Sequence, residues 1–383
     1  MENVVSSVQT AESVKIENNG AFARNSRQTG FEILRILSLY LICCVHIMNY
    51  GGILSHAEGT PLLFLRLLYS IFLVAVNVFV LISGYFMIKS NFKFKKALCL
   101  WGQVILYCVV SYLISLLILK DEKFNLDNFV KCFFPYIYQK YWFFTAYIAL
   151  YLISPVLKEV LNKLSRGKYT ALVIALFVFV YLFTRKIKLT LDVLSNGYSI
   201  AWFVVLFVFG GYLRLYPPKI HKAWIFIIYL ICTLAIWGMW YWKQDSVWAK
   251  LIYNTRNYTS PLVVIASLCV ILLFKDIRLK NDIIHKIICF ISSCTFGIYL
   301  FQESAIKPYI YFNLLKVEKY YGNKYSPLFV IGGALAIFLM GMTAEFIRKF
   351  IVWLFNLITQ KIRSKFDLYK QTHKEQDTIE EKE

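Results

Sequence analysis

The chain has 383 residues, of which 59% are hydrophobic and 17% charged, with a mean hydropathy of +0.58. Soluble domains carry about 25% charged residues, so the composition predicts an all-α polytopic membrane protein and excludes a soluble globular domain. The net charge of +20 is typical of the cationic loops of membrane proteins. Because no soluble module carries a basic face, we expect no nucleic-acid partner.

The chain divides into three predicted parts. Residues 1–30 are polar, lack the apolar core of a signal peptide and predict a disordered cytoplasmic segment. Residues 31–358 predict a transmembrane domain, and residues 359–383 a charged cytoplasmic tail that is disordered or lies at the surface. About ten transmembrane helices are predicted, at 31–50, 62–88, 97–119, 141–157, 170–184, 199–216, 223–242, 260–274, 283–302 and 326–358.

The distribution of basic residues predicts that both termini lie in the cytoplasm. The loops that are then interior hold more Lys and Arg than the exterior loops. The clearest interior loop is KSNFKFKK, which carries four lysines and no acid. These lysines are Lys89, Lys93, Lys95 and Lys96. They are candidates to hold an anionic ligand on the inner side.

Two ionisable residues, Arg35 and His46, interrupt the first apolar segment. A charge inside a bilayer helix is costly, which makes such residues functional candidates. Eleven residues at about 100° each amount to three turns plus roughly 20°, so both side chains project from nearly one face, about 16 Å apart along the axis. The alternative is an arginine that reaches to the headgroups and a histidine that bonds to a neighbouring helix.

Polar and aromatic residues on other helices are candidates for binding the substrate. Asn77 fits an interhelical hydrogen bond as well as a site, and the following Ser83-Gly84 pair allows close helix approach. Trp142 fits the aromatic belt or a ring that stacks on a sugar. Glu303 lies at the predicted depth of His46, where it either orients the imidazole or is the first solvated loop residue. Tyr147 and Tyr299 complete this set.

Four stretches of the sequence resemble one family in the order in which that family has them. They are the Arg-x10-His pattern of the first helix, NVFVLISGYF, YWFFTAYIALYLISP and TFGIYL. Over residues 31–355 they resemble the acyltransferase-3 family of bacterial integral-membrane acyltransferases that modify surface glycans. The resemblance implies ten core helices in the cytoplasmic membrane. It also implies transfer of an acyl group, usually acetyl, from cytoplasmic acyl-CoA to a glycan hydroxyl outside the bilayer.

The resemblance assigns the catalytic histidine to His46 and its paired arginine to Arg35. The chain departs from the family at Gln302, where many members have His, and at Asn77, where many have Asp. It also lacks an Arg-x-x-Arg that some members carry after the second helix, and the loop lysines lie there instead. As point charges they could meet the phosphates of CoA.

The resemblance implies acyl-CoA as co-substrate, a glycan or lipid-linked glycan as acceptor, and no tightly bound cofactor. Because no CxxC or Cys/His metal-ligand spacing occurs in the sequence, we expect no structural metal. His46 is then either a general base or an acyl-accepting nucleophile, and the sequence leaves both open. A transporter or flippase of a polar lipid or glycan is the alternative, although paired Gly/Pro breaks are not apparent in two halves of the chain. The oligomeric state is open.

Overall fold

The computed structural model describes residues 27–119, 123–134, 141–183, 195–241 and 257–380. Within these ranges the regular structure is helical and no β-strand is present. The fold class predicted from composition is therefore confirmed. The N-terminal segment predicted to be disordered lies almost wholly outside the described residues.

Thirteen α-helices build the described part of the chain. They are α1 Thr29–Asn49, α2 Gly59–Phe72, α3 Ala75–Met87, α4 Phe94–Ile118, α5 Leu126–Lys131, α6 Trp142–Asn162, α7 Arg166–Phe183, α8 Ile200–Leu215, α9 Lys222–Gly238, α10 Pro261–Phe274, α11 Asp282–Ser292, α12 Thr295–Gln302 and α13 Ser326–Glu380. A π-helical turn, Tyr309–Leu314, and a 3₁₀ turn, Val317–Tyr320, connect α12 to α13.

Six helical segments are long and apolar enough to cross a membrane. They are α1, α2 with α3, α4, α6, α11 with α12, and the first part of α13. The helices α8, α9 and α10 are apolar but shorter. Each of the ten predicted spans overlaps one of these segments or shorter helices, except the span at 170–184, which overlaps α7. The protein is therefore a multi-pass membrane protein.

Two spans predicted as single helices contain a break. Residues 62–88 form α2 and α3, which part at Leu73 and Val74, and residues 283–302 form α11 and α12. At the second break the Ser293 hydroxyl donates to the Phe290 carbonyl at 2.6 Å. Hydroxyls that bond back to the preceding turn bend helices. An uninterrupted apolar sequence conceals such a bend.

The last helix continues beyond the predicted boundary at residue 358 and ends at Glu380. Residues 359–380 contain no Gly or Pro and are rich in Lys, Gln and Glu, which are good helix formers. Their polarity therefore marks the end of the apolar segment and not the end of the helix.

Helix α1 lies at the centre of the helices. It packs against α2, α3, α10, α11, α12 and α13, and Phe31, Leu34 and Ile47 on it are almost completely buried. A central helix that neighbours enclose on several sides holds its side chains in fixed positions. Arg35 and His46 are thus carried on a helix that packs against six others.

Helices α3 and α8 cross closely because glycines lie at their interface. A Cβ atom added to Gly84 would lie 2.6 Å from the carbonyl oxygen of Phe207, and Gly210 of α8 meets the α3 backbone in the same way. The close approach predicted from the Ser83-Gly84 pair is confirmed.

Candidate active site

Arg35 and His46 open into two different cavities. Because α1 is continuous between them, the residues are about 16 Å apart along the axis, as helix geometry predicts. His46 lines a cavity of about 160 Å³, here called the His46 cavity. Arg35 lines a cavity of about 590 Å³, here called the Arg35 cavity.

His46 is paired with a carboxylate from α12. Its Nδ1 lies 2.9 Å from Oε1 of Glu303, and both side chains are largely buried. The oxygen lies off the line of the ring N–H, so the pair meets the distance of a hydrogen bond but not its direction. This arrangement answers the choice that the sequence left open for Glu303, because the carboxylate faces the imidazole.

A second cation, Lys307, holds the other carboxylate oxygen. Its Nζ donates to Oε2 of Glu303 at 3.1 Å. Burial alone would raise the pKa of the Glu303 carboxyl, but the contacts with His46 and Lys307 outweigh it and hold this pKa below its ordinary value. Glu303 is therefore a carboxylate at neutral pH, as a partner for an imidazolium must be.

Tyr50 contacts both Lys307 and His46, and these three side chains form one cluster with Glu303. The Lys307 ammonium lies 3.9 Å from the centre of the Tyr50 ring, and the ring centroids of Tyr50 and His46 are 5.0 Å apart, edge to face. Sequence reasoning missed both residues. The available signal was spacing, because Tyr50 lies one helical turn after His46, and Lys307 is four residues after Glu303.

Aromatic rings form much of the remaining wall of the His46 cavity. Trp142 and Tyr299, both predicted site residues, line it together with Tyr198 and Tyr258. Trp142 and Tyr198 are in contact, with their centroids 4.5 Å apart. The Tyr299 hydroxyl is buried and has no hydrogen-bond partner among the described residues. These flat faces and the unpaired hydroxyl suit a ligand that is apolar on its faces and polar at its edges.

Gln302 occupies the position at which the family often has histidine. Its side chain is fully buried, and neither end of its amide has a hydrogen-bond partner in the described part of the chain. The carboxylate that faces His46 belongs to the next residue, Glu303.

Arg35 is held at the wall of its cavity by two contacts. Its guanidinium forms an ion pair with the buried carboxylate of Glu32, one helical turn earlier, and stacks over the Phe86 ring at 5.3 Å. A guanidinium has more N–H donors than this ion pair uses, so the remaining donors can bind an anion in the cavity. Arg27, which the sequence did not single out, lines the same cavity.

The four candidate lysines separate into two pairs. All four are exposed, but Lys93 and Lys96 line the Arg35 cavity, whereas Lys89 and Lys95 line neither cavity. Lys93 precedes α4 and Lys96 lies in its first turn, with Nζ over the Tyr151 ring at 5.4 Å. Neighbouring helical residues project about 100° apart, which turns Lys95 away from the face that Lys96 occupies.

Three further predicted residues are found in different surroundings. Ser83 and Tyr147 line the Arg35 cavity. Asn77 lines neither cavity. Its amide donates to the Tyr258 carbonyl at 2.7 Å and accepts from the indole of Trp202 at 3.1 Å. These contacts favour the interhelical hydrogen bond over the substrate-binding role for Asn77.

The two cavities adjoin at three phenylalanines. Phe79 of α3, Phe143 of α6 and Phe296 of α12 line both the His46 cavity and the Arg35 cavity. The two cavities therefore meet at these rings. A long, thin ligand that passes between the rings could have one end at Arg35 and the other at His46.

The protein is thus an integral-membrane protein with a candidate acid–base site, in which a buried histidine–carboxylate pair lies in one cavity and a cationic cavity adjoins it. The acyltransferase domain that characterises the acyltransferase-3 family matches residues 28–355. The chain belongs to this family and is a membrane acyltransferase. No curated protein and no solved structure matches the chain.

Proposed function

We propose that the protein transfers an acyl group, acetyl in the first instance, from cytoplasmic acyl-CoA to a hydroxyl of an extracytoplasmic or lipid-linked glycan. Family membership supports acyl transfer in general. One observation carries the finer proposal: a single helix has a cationic cavity at Arg35 and a histidine–carboxylate pair in the adjoining cavity at His46.

The donor side of the proposal follows from charge and shape. CoA carries its phosphates at one end and its thioester at the other, joined by a long flexible arm. Arg27, Arg35, Lys93 and Lys96 line the Arg35 cavity, and guanidinium groups match phosphate oxygens in a bidentate manner. With the phosphates at this mouth, the arm extends along α1 and presents the thioester to His46.

The acceptor side rests on the walls of the His46 cavity. The rings of Tyr50, Trp142, Tyr198 and Tyr258 line it, and such rings stack on the apolar faces of sugars while their hydroxyls bond to the edges. Asn49 adds an amide to the same wall. A sugar hydroxyl can thus approach the imidazole while its ring lies against aromatic faces.

The chemistry at His46 is general-base catalysis. With Nδ1 turned towards Glu303, Nε2 accepts the proton of the acceptor hydroxyl while its oxygen attacks the thioester carbonyl carbon. The carbon–sulfur bond then breaks, and the imidazolium returns the proton to the departing CoA thiolate. Glu303 stabilises the imidazolium between these two proton transfers. An acyl-imidazole intermediate would give the same products, and trapping of labelled acyl protein without acceptor distinguishes the two routes.

The proposed setting is the bacterial cytoplasmic membrane, with both termini inside. The basic loop between α3 and α4 then faces the cytoplasm, in agreement with the positive-inside rule. This loop contributes Lys93 to the Arg35 cavity, so the cationic cavity opens on the side where acyl-CoA is available.

The test compares the acyl content of the surface glycan in cells that express wild type, Arg35→Ala or His46→Ala at matched protein levels. We expect one acyl substituent to disappear in both variants, as read by NMR or mass spectrometry. His56→Ala is the control, because His56 is exposed and lines neither cavity. An unchanged acyl pattern with lipid-linked glycan accumulating inside would overturn the proposal in favour of a transporter.

A further inference from the structure

A third cavity adjoins the Arg35 cavity. It lies between the last turns of α6 and the loop that joins α3 to α4, and it is here called the α6 cavity. Both cavities are lined by Met87, Ser90, Asn91 and Tyr151, so one ligand can extend from the first into the second. The volume of the α6 cavity is about 460 Å³, which is within the range of about 300–1,000 Å³ that is typical of small-molecule sites.

One wall of the α6 cavity is aromatic, and hydrogen bonds hold it in place. The Tyr151 hydroxyl accepts from the backbone N–H of Lys93 at 3.2 Å and donates to the Lys93 carbonyl at 3.2 Å, which ties the loop to α6. The Phe92 ring packs on the Tyr151 ring with their centroids 5.1 Å apart. Because 39% of Phe92 is still exposed and Phe92 lines the cavity, its ring offers a face on which a planar group can stack.

Lys158 supplies the positive charge of the α6 cavity. Its Nζ donates to the Ser90 carbonyl at 2.9 Å and to Oδ1 of Asn91 at 3.4 Å. It forms no ion pair with an acid in the part of the chain that the structure describes. An ammonium has three N–H donors, so one is left for a ligand. Glu159, which also lines the cavity, is neutralised by Lys163 at 2.7 Å. The cavity wall is therefore positive overall and suits an anion.

Two asparagine amides add hydrogen-bonding groups to the same cavity. The side-chain nitrogen of Asn162 donates to the carbonyls of Ile88 and Lys158 at 3.1 and 2.8 Å, which leaves its oxygen to accept from a ligand. Asn91 accepts from Lys158 through its oxygen, which leaves its nitrogen to donate. One acceptor and one donor match the edge of adenine, which presents an amino group and ring nitrogens.

We propose that the α6 cavity binds the adenosine 3′-phosphate end of the acyl-CoA donor, with Lys158 at the 3′-phosphate and the adenine against Phe92. This inference rests on the proposed function, because it concerns the donor whose diphosphate lies in the Arg35 cavity. In CoA the adenosine and the pantetheine arm are attached to opposite ends of the diphosphate. The arm leaves the Arg35 cavity towards His46, and the adenosine extends the other way into the α6 cavity.

The first experiment measures nucleotide binding to the purified full-length protein in detergent by titration calorimetry. Adenosine 3′,5′-bisphosphate contains the adenosine and the 3′-phosphate of CoA, whereas adenosine 5′-phosphate lacks the 3′-phosphate. We expect wild type to bind the bisphosphate about tenfold more tightly, the order that one hydrogen bond to a charged group contributes. Lys158→Met should bind both nucleotides equally. Lys168→Met is the matched control and should keep the preference, because Lys168 is exposed and lines none of the three cavities.

The second experiment compares acetyl-CoA, acetyl-3′-dephospho-CoA and acetyl-pantetheine as donors to the envelope glycan in permeabilised membranes. Phe92→Ala should raise KM for both nucleotide-containing donors at least about fivefold, the lower end of what stacking of one base contributes. The same variant should leave transfer from acetyl-pantetheine unchanged, since this donor has no base. Phe94→Ala is the control, because Phe94 lies in the same segment, is exposed and lines none of the three cavities.

Equal affinity of wild type for the two nucleotides would overturn the α6 cavity as the adenosine site, as would loss of the preference in Lys168→Met. A KM for acetyl-CoA that is the same in wild type and Phe92→Ala would also overturn it while leaving acyl transfer in place. Absence of transfer from all three donors in wild type would overturn the proposed function. Nucleotide binding is measured without any transfer, so the two failures are distinguishable.

Discussion

His46 and Glu303 approach each other within 2.9 Å, although they come from opposite ends of the sequence. The contact forms because α12 packs directly against α1 and ends one residue before Glu303. A carboxylate beside the far nitrogen of a catalytic imidazole fixes its orientation and stabilises its charged form. In the proposed mechanism the catalytic unit is therefore a pair and not a lone histidine.

Glu303→Gln tests this pair. The amide keeps the size of the side chain but removes the charge that stabilises the imidazolium. We expect kcat for acyl transfer to fall at least about a hundredfold, within the range that general acid–base catalysis contributes, and KM for acyl-CoA to change little. Glu58→Gln, at an exposed glutamate, is the control. Wild-type kcat in Glu303→Gln would show that the contact is structural only.

Lys307→Met tests the cation on the other side of the carboxylate. Lys307 helps to hold the pKa of Glu303 below its ordinary value. The proposed mechanism needs an uncharged imidazole beside the Glu303 carboxylate, so activity falls once either group of the pair takes up a proton. Without the ammonium, a neighbouring cation no longer opposes the added proton, and activity is lost at a higher pH. We expect the acidic limb of the pH–rate profile to move upwards, while Lys307→Arg keeps the wild-type profile.

Lys324→Met is the matched control for that profile, because Lys324 is exposed and makes no contact with Glu303. An acidic limb that coincides in wild type and Lys307→Met would contradict the role given to this lysine. A general loss of rate without a shift in pH would point to packing of Lys307 on Tyr50 instead.

The arrangement of Arg35 and His46 could be predicted from the sequence because it depends only on regular helix geometry. Eleven residues on one straight helix determine both the shared face and the separation. Equal depth in two predicted spans made Glu303 a candidate partner of His46, but it left a solvated loop position as the alternative. Lys307 and Tyr50 could not be placed without the tertiary packing, since the turn after α12 decides where Lys307 points.

The three phenylalanines at which the two cavities meet could not be predicted from the sequence for a different reason. The chain contains 32 Phe, and in a membrane protein apolar periodicity does not separate lipid-facing rings from cavity-facing rings. The helix breaks near Leu73 and Ser293 could not be predicted from the sequence either, because mostly apolar segments lie on both sides of each break.

Asn77→Ala tests the interpretation that this residue is structural. Removing the amide leaves the buried indole N–H of Trp202 and the carbonyl of Tyr258 without their partner. Each unsatisfied buried group costs about 1–3 kcal/mol, so thermal unfolding in detergent should occur at a lower temperature. Acyl transfer per folded molecule should be retained. Asn313→Ala, at an exposed position, should leave the unfolding temperature unchanged, and loss of activity without loss of stability would contradict this interpretation.

Four lysines lie in one short segment, which comprises the loop before α4 and the first turn of α4. Two pairs of these lysines can be compared for their effect on the binding of acyl-CoA. Lys93 and Lys96 line the Arg35 cavity, and Lys89 and Lys95 do not. A Lys93→Ala/Lys96→Ala double variant should raise KM for acyl-CoA about tenfold with a smaller change in kcat, because the lost charges meet the donor phosphates and not the reacting atoms. Lys89→Ala/Lys95→Ala removes the same charge from the same segment. If both double variants raise KM equally, the lysines act through the overall charge of the surface; if only the first does, phosphate binding is local to the cavity, as the geometry requires.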